Sequence, residues 1–504
     1  MLLFFVLKAA LPATHGHLVY ALDDAYIHMA IAKNLAAHGV YGVTSHEFAA
    51  ASSSILWPFL LAALYKVFGP VVVIPLICQI VIGIALLWLA WKMLNRAGVT
   101  SKRYVCAVLI SLVLTIPMVP MTFVAMEHLL HAFLTLLFAL VSLDYLYAPS
   151  ARFLPVLLCA AAVTSVRYEG LFLIAAAALL FLLQKKLIHA LAIAAAGAVP
   201  IALFGFYSIF HGGFFLPNSL LLKGLPVSID SLLRLGNIAT DCPEVSRLAF
   251  AALLLLGFGN IGRATSRALL QLFLLTAMLH QMFAAYGWFY RYEAYLVALG
   301  LIAVAVSAWE SHAIRTSHRV WALLVLLIMF TPLIERGYKS ITATPSAMAD
   351  IYRQQFQMAE FFRTYYPQGR IAINDIGAIS FYGDPYCTDL YGLGSTRITR
   401  TRLATLPKAV TAFSLPDNPQ VQAVIQQDNV EVAAVYDHYF GVSQGHAPID
   451  WIKVGTWKVP TKTVLGEDEV SFYGIGRENA ENLRRNLAEF HSHLPQELSQ
   501  FAIP

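Results

Sequence analysis

Two adjacent carboxylates are the first chemical signal in this sequence. Asp23 and Asp24 open the segment LDDAYIHMAIAKNLAAHGVYG, whose pattern predicts an amphipathic helix ending near Gly39. Capping of backbone N–H groups explains one aspartate at a helix start, whereas two adjacent carboxylates repel each other and need a further reason. The pair could act as a general base or bind a divalent cation. His28 lies one turn beyond Asp24 and could add a metal ligand, although a solvated surface histidine is the simpler interpretation.

Further ionisable residues stand at the ends of apolar segments. Glu127 lies in MEHLLHAF, and Arg167 and Glu169 lie in SVRYEGLF between two apolar runs, where an ion pair that ties two helices together is the simpler interpretation. Lys223 follows the turn-forming segment HGGFFLPNS, and Arg291 lies among aromatic residues in WFYRYEAYL. Snorkelling to the membrane surface explains either cation, and binding of a phosphate group is the alternative.

Composition identifies the class of protein. Hydrophobic residues make up 59% of the 504 residues, charged residues only 12%, and the mean hydropathy is +0.66, whereas soluble proteins carry about 25% charged residues. These values exclude a soluble enzyme, a disordered chain and a coiled coil. The 34 Lys and Arg residues are scattered, which argues against a nucleic-acid partner. The 5 Cys are too few for a scaffold built on disulfides. A polytopic α-helical membrane protein remains.

Charge density divides the chain into two domains. Residues 1–334 contain 30 charged side chains and residues 335–504 contain 33. We therefore expect a transmembrane domain over 1–334 and a soluble domain over 335–504, with the boundary near Leu333. The first loop outside the membrane is expected at 21–70.

About eleven membrane spans are expected, since a spanning helix needs about 20 mostly apolar residues. The first runs from Met1 to about Tyr20, and its start could lie upstream of Met1. Ser52 to Phe68 contains an apolar core of only ten residues with Pro58, which predicts an interfacial or re-entrant helix rather than a span. The other runs are 71–94, 104–120, 128–147, 153–166, 171–184, 190–210, 248–260, 268–286, 293–309 and 320–334.

Positive charge in the short loops predicts the orientation in the membrane. Five loops contain ten Lys or Arg and one acid, Glu310. They are the loops at 95–103, 148–152, 185–189, 261–267 and 310–319. If Ser52–Phe68 does not cross, all five lie on one side, which must be the cytoplasm, and the soluble domain lies outside it. The polar clusters then gather on the opposite face, where acids beside Lys and Arg predict a site for an anionic, lipid-linked substrate.

Short motifs follow one another along the chain in a characteristic order. They are DDAYI (Asp23–Ile27), AKNL (Ala32–Leu35), SSSILWPFLLA (Ser52–Ala62), MEHLL (Met126–Leu130), RYEG (Arg167–Gly170), LPNSLLLK (Leu216–Lys223), RYEAYL (Arg291–Leu296) and RIAINDIGAISFYGDPYCTDLYGLGS (Arg370–Ser395). This order resembles that of the bacterial GT-C glycosyltransferases, especially those similar to the mycobacterial arabinofuranosyltransferases. The resemblance extends from Leu22 to about Thr396, and its motifs are more specific for the superfamily than for the sugar.

The resemblance implies a multi-pass enzyme of the bacterial inner membrane with a periplasmic soluble domain. It would transfer a hexosyl or pentosyl group from a polyprenyl-phosphate donor to a hydroxyl of a cell-envelope glycan or glycolipid. Asp23 and Asp24 match the family's acidic pair, one of which would be the base, with Mg²⁺, Mn²⁺ or Ca²⁺ as the one cofactor that the pair could hold. Positions near the donor phosphate or the substrate are matched by Lys223, Arg291, Arg167 and Glu127.

The soluble domain is expected to be mixed α/β. Predicted helices cover 352–366 and 478–493, and predicted strands cover 370–374, 430–436, 451–459 and 469–473. Asp375 and Asp389 follow strand-like or turn segments and could contact the acceptor, although turn-forming acids are common. Cys242 and Cys387 are both expected outside the cytoplasm, where a disulfide between them could form. The sequence leaves open whether it does.

Two other classes of function stay open. A transporter or flippase for lipid-linked saccharides would show inverted repeats and polar residues near mid-membrane, and no internal repeat is evident in the sequence. A polysaccharide polymerase or ligase of another fold would also act on lipid-linked sugars, but we would not expect its first loop to begin with two acids. The sugar, the acceptor, the linkage and the oligomeric state do not follow from these residues.

Overall fold

Apolar helices form the N-terminal part of the structure, and a mixed sheet forms its C-terminal part. The computed structural model describes residues 1–148, 150–224, 230–311, 319–405, 418–440, 448–494 and 501–502. The helices of the N-terminal part are α1 (Leu2–Ala13), α2 (Asp23–His38), α3 (Leu56–Phe68), α4 (Val73–Arg96), α5 (Lys102–Thr115), α6 (Met118–Val124), α7 (His128–Tyr147), α8 (Leu154–Val166), α9 (Gly170–Leu183), α10 (Leu187–Phe210), α11 (Asn218–Lys223), α12 (Asp230–Leu233), α13 (Ile238–Asp241), α14 (Pro243–Phe258), α15 (Ala264–Phe283), α16 (Ala294–Glu310) and α17 (Arg319–Ile351).

The chain is membrane-embedded. Within the described ranges, four helical stretches are long and apolar enough to cross a bilayer, namely Val73–Arg96, Lys102–Val124, His128–Tyr147 and Leu187–Phe210. Shorter apolar helices accompany them. The face that α4 turns outward is apolar, since Ile77, Val81, Ile84 and Trp88 are all more than half exposed and recur every three or four residues. A continuous apolar stripe of this kind is stable against lipid and not against water.

The predicted spans coincide with observed helices, and one predicted helix end is displaced. The first helix ends at Ala13 rather than near Tyr20, because His15 and Gly16 take positive φ values of 48° and 81° and turn the chain. The predicted domain boundary near Leu333 falls inside α17, which continues to Ile351. The exact number of spans stays a prediction.

The basic loops meet at one end of the helix bundle. Arg96 forms an ion pair with Asp144 near the end of α7, and the Arg263 guanidinium donates to the carbonyl of Ala97. Further contacts at this end join Trp309 with Gly98 and Lys186 with Tyr145. The prediction that these loops share one side is thereby confirmed for the described residues, and Arg315 lies outside them.

Two helices form the first loop at the opposite end. α2 ends at His38 because Gly39 adopts a left-handed φ of 71°, as the sequence predicts. α3 has 13 residues, fewer than a helix needs to cross the full hydrocarbon core. Its buried residues Trp57, Leu61 and Tyr65 share one face, and α3 packs against α2.

The C-terminal domain contains a six-stranded mixed sheet. Its strands are β1 (Arg370–Ile373), β2 (Tyr386–Asp389), β3 (Val432–Val435), β4 (Trp451–Lys458), β5 (Glu469–Ile475) and β6 (Phe501–Ala502), in the order β2-β1-β3-β5-β4-β6. β1 runs parallel to both β2 and β3, whereas β5 is antiparallel to β3 and β4. The helices are α18 (Gln357–Tyr365), α19 (Gly377–Tyr382), α20 (Thr396–Thr405), α21 (Pro419–Gln427) and α22 (Arg477–His491), and a π-helical turn, Tyr352–Phe356, precedes α18.

The mixed α/β prediction is confirmed, and the two cysteines whose pairing the sequence leaves open are not joined in the structure. The predicted strands correspond to β1, β3, β4 and β5, and the predicted C-terminal helix corresponds to α22. Cys242 and Cys387 are free thiols. Cys242 precedes α14 with its Sγ 3.5 Å from the Glu244 carboxylate, whereas Cys387 lies within β2 opposite Ile371 of β1.

A contact at both ends of α19 holds the soluble domain on the first loop. At its N-terminal end, the backbone N–H groups of Gly377 and Ala378 donate to the Asp23 carboxylate over 2.8 Å each. At its C-terminal end, Lys33 Nζ donates to three backbone carbonyls over 2.7 to 2.9 Å. The Asp23 side chain thus satisfies two free N–H groups at the start of the helix, and the Lys33 charge complements the dipole at its end. Only glycine fits at position 377, since a Cβ there would lie 2.2 Å from the Asp23 carbonyl oxygen.

Replacing Lys33 by Met should loosen this docking. The change removes the donor to three carbonyls, and a hydrogen bond to a charged group contributes about 1.5–3 kcal/mol. We expect Lys33→Met to lower the thermal unfolding midpoint of the purified full chain and to speed proteolysis of the soluble domain. Lys66→Met is the matched control, because Lys66 Nζ donates to one carbonyl at 3.2 Å and is exposed. Equal midpoints for the two variants would contradict the docking role.

Candidate active site

Two cavities meet where the helix bundle contacts the soluble domain. The domain-interface cavity, of about 520 Å³, has a polar lining of Asp23, Asp24, Lys223, Gln355, Asn374, Asp375 and Tyr436. The helix-bundle cavity, of about 350 Å³, has a polar lining that includes Asp24, Ser53, Arg167, Glu169, Ser219, Lys223 and Arg291. Both volumes lie in the range of small-molecule sites. Asp24 and Lys223 line both cavities and so mark their junction.

Asp24 is an ionised carboxylate at this junction. Its Oδ2 accepts a hydrogen bond from Arg291 Nη2 at 2.5 Å, and the Arg291 side chain is only 3% exposed. Burial opposes ionisation of Asp24, but Arg291 and then Lys223 outweigh burial and hold the pKa of Asp24 well below its ordinary value. Burial likewise opposes the charged form of Lys223, and Asp24 outweighs it and raises the pKa of Lys223. Both predicted cations therefore meet one acid of the pair.

Asp23 points to the soluble domain instead. Its two oxygens accept the backbone N–H bonds from the start of α19. Burial, and then the nearby Asp375 carboxylate, raise the pKa of Asp23 above its ordinary value. Neighbouring residues on a helix point about 100° apart, so the two side chains have separate partners. The sequence pattern suggests a functional pair, whereas the structure gives one acid to the cations and the other to a helix cap.

Arg167 joins three segments of the membrane domain. Its guanidinium donates twice to Glu169, over 2.5 and 3.0 Å, and also binds Glu127 at 2.9 Å and Ser53 Oγ at 2.8 Å. The predicted local ion pair between Arg167 and Glu169 is therefore confirmed, and Glu127 extends it. Because a guanidinium presents a rigid fork of donors, this one side chain fixes one wall of the helix-bundle cavity.

His28 is buried, so the interpretation as a solvated surface histidine is wrong. The residue is 3% exposed, its Nδ1 lies 3.1 Å from Ser52 Oγ, and its Nε2 lies 3.7 Å from the Glu127 carboxylate. The cause is the packing of α2 against the segment around Ser52, which the sequence does not reveal. His28 thus faces Glu127 and not the backbone N–H groups that Asp23 caps.

The described residues do not form a metal site. Among them, no group of three or more His, Cys, Asp or Glu side chains is arranged to hold an ion. A cation between Asp23 and Asp24 would have to displace two backbone N–H bonds from one and a guanidinium from the other. The divalent cation at Asp23, Asp24 and His28 therefore stays a prediction.

Arg291 follows a strained left-handed turn. Gly287 has a φ of 83°, and three larger residues, Trp288, Phe289 and Tyr290, continue with φ values of 43°, 59° and 64°. The left-handed conformation costs a non-glycine residue roughly 1–2 kcal/mol, so neighbouring groups must hold this turn in place.

Arg336 of α17 stabilises the turn. Its guanidinium forms an ion pair with Glu293 and donates to the Tyr290 carbonyl, while its Nε donates to the Thr115 carbonyl at 2.9 Å. Glu293 also accepts the Gly287 N–H at 2.8 Å. Arg336 is 2% exposed. No motif in the sequence indicates Arg336, because it acts on a segment from which the whole of α16 separates it in the chain.

The soluble domain adds a carboxylate to the site. Asp375 follows β1, and its Oδ2 accepts hydrogen bonds from Tyr436 at 2.5 Å and from Gln355 Nε2 at 2.7 Å. Burial raises the pKa of Asp375, although these two hydrogen bonds oppose the rise. Asp389 does not line the domain-interface cavity. It accepts two N–H bonds from the turn after β2. The interpretation as a turn-forming acid therefore applies to Asp389 and not to Asp375.

Comparison with known proteins identifies the fold. Residues 348–473 match a domain of unknown function (DUF8728), and no curated protein matches the sequence. ArnT from Cupriavidus metallidurans bound to undecaprenyl phosphate aligns with a TM-score of 0.51 and 11% identity over 95% of this chain and 98% of that chain. Its apo form aligns with a TM-score of 0.52 and 11% identity over 96% and 98%.

These alignments establish a shared fold. ArnT is a GT-C glycosyltransferase, so the chain has the GT-C fold that its motifs indicate. The oligosaccharyltransferase of Archaeoglobus fulgidus, solved with Zn and sulfate, aligns with a TM-score of 0.48 and 10% identity over 95% of this chain and 73% of that chain, which is too low to support a conclusion. The nearer likeness to mycobacterial arabinofuranosyltransferases stays a prediction.

Replacing Arg336 by Met should release the turn before Arg291. The change leaves Glu293 buried without its counter-charge, which typically costs about 3–5 kcal/mol. We expect a lower thermal unfolding midpoint of the full chain in detergent. Lys339→Met on the same helix is the control, since its ion pair with Glu335 is exposed on both sides and its loss should leave the midpoint unchanged. A midpoint that Arg336→Met does not lower would show that the turn needs no such support.

Proposed function

We propose that this chain transfers a sugar, a hexosyl or pentosyl group, from a polyprenyl-phosphate donor to a hydroxyl of a cell-envelope glycan or glycolipid. The observation that carries the proposal is the position of Asp24, a single ionised carboxylate where two cavities meet. One cavity has the cations and apolar walls that a lipid phosphate needs. The other lies against the soluble domain, where a water-soluble acceptor group would enter. The GT-C fold supports this assignment.

The helix-bundle cavity suits a polyprenyl phosphate. Arg291 Nε and Ser219 Oγ are buried there without a hydrogen-bond partner among the described residues, and phosphate oxygens would accept from both. Leu171 and Leu216 line the same cavity and are 38% and 37% exposed, so its apolar wall reaches the outer surface of the bundle. A prenyl chain could lie along that surface in lipid. The ArnT structure is bound to undecaprenyl phosphate, which supports a carrier of this class.

The reaction is a displacement at the anomeric carbon of the donor sugar. The acceptor oxygen forms a bond to that carbon while the bond from the carbon to the phosphate oxygen breaks. Asp24 takes the proton of the acceptor hydroxyl. Polyprenyl phosphate departs as an anion, and Arg291 and Lys223 stabilise the charge that develops on it. A single displacement of this kind inverts the anomeric centre.

Donor binding would prepare Asp24 for its task. In the free protein, Arg291 and Lys223 hold the pKa of Asp24 low, which makes it a weak base. A phosphate group beside the same cations offsets their charge and so raises the basicity of the carboxylate. Proton transfer to Asp24 is thereby favoured only when the donor is present.

The orientation of the chain is part of the proposal. We place it in a bacterial inner membrane with about eleven spans, with residues 1–334 as the transmembrane domain and residues 335–504 on the periplasmic side. The support comes from the basic loops, which gather at the end opposite the two cavities, as the positive-inside rule requires of cytoplasmic loops.

Exchange of Asp24 for Asn tests the assignment of the base. The amide keeps the size of the side chain and cannot take the proton, and general-base catalysis contributes typically 10²–10⁴-fold. We expect Asp24→Asn to lower sugar transfer by about that factor while the purified full chain still binds undecaprenyl phosphate. The readout is the sugar composition of the envelope in a deletion strain that expresses the variant at matched protein abundance.

Asp23→Asn is the matched control, because it makes the same change one residue away. It should lower the thermal unfolding midpoint by weakening the cap on α19 and leave measurable transfer. If Asp23→Asn abolishes transfer and Asp24→Asn does not, the base is assigned to the wrong acid. If deletion alters an envelope glycan that both variants restore in full, the transferase site lies elsewhere.

Labelling of single cysteines tests the orientation. In a cysteine-free chain, Asp450→Cys in the soluble domain should react with a membrane-impermeant maleimide in intact cells with a permeabilised outer membrane. Lys102→Cys in a basic loop should react only after lysis. Both positions are exposed, so accessibility within the protein does not differ between them. The reverse pattern would place the cavities on the cytoplasmic side.

A further inference from the structure

The parallel strands of the soluble domain end at the domain-interface cavity. Asn374 and Asp375 come directly after β1, Tyr391 comes after β2, and Tyr436 comes directly after β3, and all four line that cavity. β1 lies between β2 and β3 and is parallel to both. In open α/β sheets, ligands bind in the crevice at the carboxyl ends of the strands. The soluble domain therefore turns its expected ligand-binding edge toward Asp24.

We propose that this edge binds the acceptor, and that the acceptor is a neutral, polyhydroxylated carbohydrate held by Asp375 and Gln355. The inference rests on the proposed transferase function and adds to it the class of acceptor and the surface that recognises it. It also gives a function to the matched domain, residues 348–473.

Two polar atoms at this edge are hydrogen-bond acceptors that remain free among the described residues. Both hydrogen bonds that Asp375 accepts in the described part of the chain go to Oδ2, from Tyr436 and Gln355, which leaves Oδ1 for a ligand. Gln355 is 1% exposed, and its Oε1 has no donor among the described residues. The orientation of this amide is fixed, because its Nε2 donates to Asp375. A buried carbonyl oxygen without a donor is unfavourable, and a ligand hydroxyl would supply the donor.

Aromatic rings complete the cavity from the bundle side. Tyr286, Trp288 and Tyr292 of the N-terminal part line the domain-interface cavity together with the residues at the strand ends. Sites for small molecules combine such apolar faces with a few well-placed polar groups. The apolar C–H faces of a sugar ring would pack against these rings while its hydroxyls reach Asp375 and Gln355.

The distribution of charge between the cavities favours a neutral acceptor over an anionic one. Asp23 and Asp375 line the domain-interface cavity and not the helix-bundle cavity, whereas Arg167 and Arg291 line only the latter. The one cation shared by both is Lys223, which lies beside Asp24. A phosphate or uronate on the acceptor would therefore meet two carboxyl groups whose pKa values burial and like-charge repulsion already raise, and a further anion beside them would be unfavourable. The two arginines line only the cavity that we assign to the donor phosphate.

Binding by the full chain in lipid nanodiscs tests this inference. The probes are immobilised neutral oligosaccharides, their uronate- or phosphate-bearing counterparts, and undecaprenyl phosphate. We expect the wild-type chain to retain some neutral oligosaccharides and none of the acidic counterparts. Asp375→Ala should weaken retention at least tenfold and leave undecaprenyl phosphate binding unchanged. Asp450→Ala, an exposed acid of the same domain outside the cavity, should change neither.

The outcomes separate this inference from the transferase function. Retention of acidic oligosaccharides, or of no oligosaccharide by a chain that binds undecaprenyl phosphate, would overturn the inference and leave the proposed function standing. A chain that binds no undecaprenyl phosphate and restores no envelope glycan would overturn the proposed function. If Asp375→Ala weakens binding of both probes, the residue acts through the fold and the inference fails. A second variant, Gln355→Met, removes the buried oxygen and should weaken oligosaccharide retention alone.

Discussion

The contact between Asp24 and Arg291 is the interaction on which the rest of the structure depends. The Arg291 side chain is 3% exposed and the Asp24 side chain 24% exposed, and an unpaired buried charge near a membrane is very unfavourable. Arg291 reaches the contact only because Arg336 holds the left-handed turn before it. Asp24 reaches it only because α2 is fixed, and the soluble domain fixes α2 through Asp23 and Lys33. The helix bundle, the left-handed turn and the soluble domain thus all help to position the ion pair between Asp24 and Arg291.

Local features of the site follow from the sequence, and long-range ones do not. Hydropathy runs correspond to helices, Gly39 ends α2, and the chemistry-bearing types of Asp24, Lys223 and Arg291 are visible in short motifs. The divergence of Asp23 from Asp24 could have been expected from the 100° step of a helix, but its partner on α19 could not. Burial of His28 and the action of Arg336 depend on packing between segments far apart in the chain, which no local pattern reports.

The arrangement favours the proposed transferase function over the two alternatives. A transporter or flippase moves its substrate through a site near mid-membrane, whereas Asp24 and its cations lie at one end of the bundle under the soluble domain. A polymerase or ligase of another fold is not compatible with a GT-C fold that extends over nearly the whole chain. A transferase needs separate binding sites for donor and acceptor beside one base. The two cavities, which meet at Asp24, would provide these two sites.

The length of α17 has a mechanical consequence. Its 33 residues extend about 50 Å at 1.5 Å per residue, whereas the hydrocarbon core is about 30 Å thick. If α17 enters the bilayer core at its first residue, it continues about 20 Å beyond the core as the first part of the C-terminal domain, with Pro332 and Pro345 inside it. Such an extension would act as a spacer that sets the height of the acceptor surface above the lipid. It also sets the rotation of that surface, since each inserted or deleted residue would turn the domain by about 100°. Insertion or deletion of a whole helical turn would change the height of the acceptor surface and keep its orientation. A single inserted or deleted residue would rotate the surface away from the base.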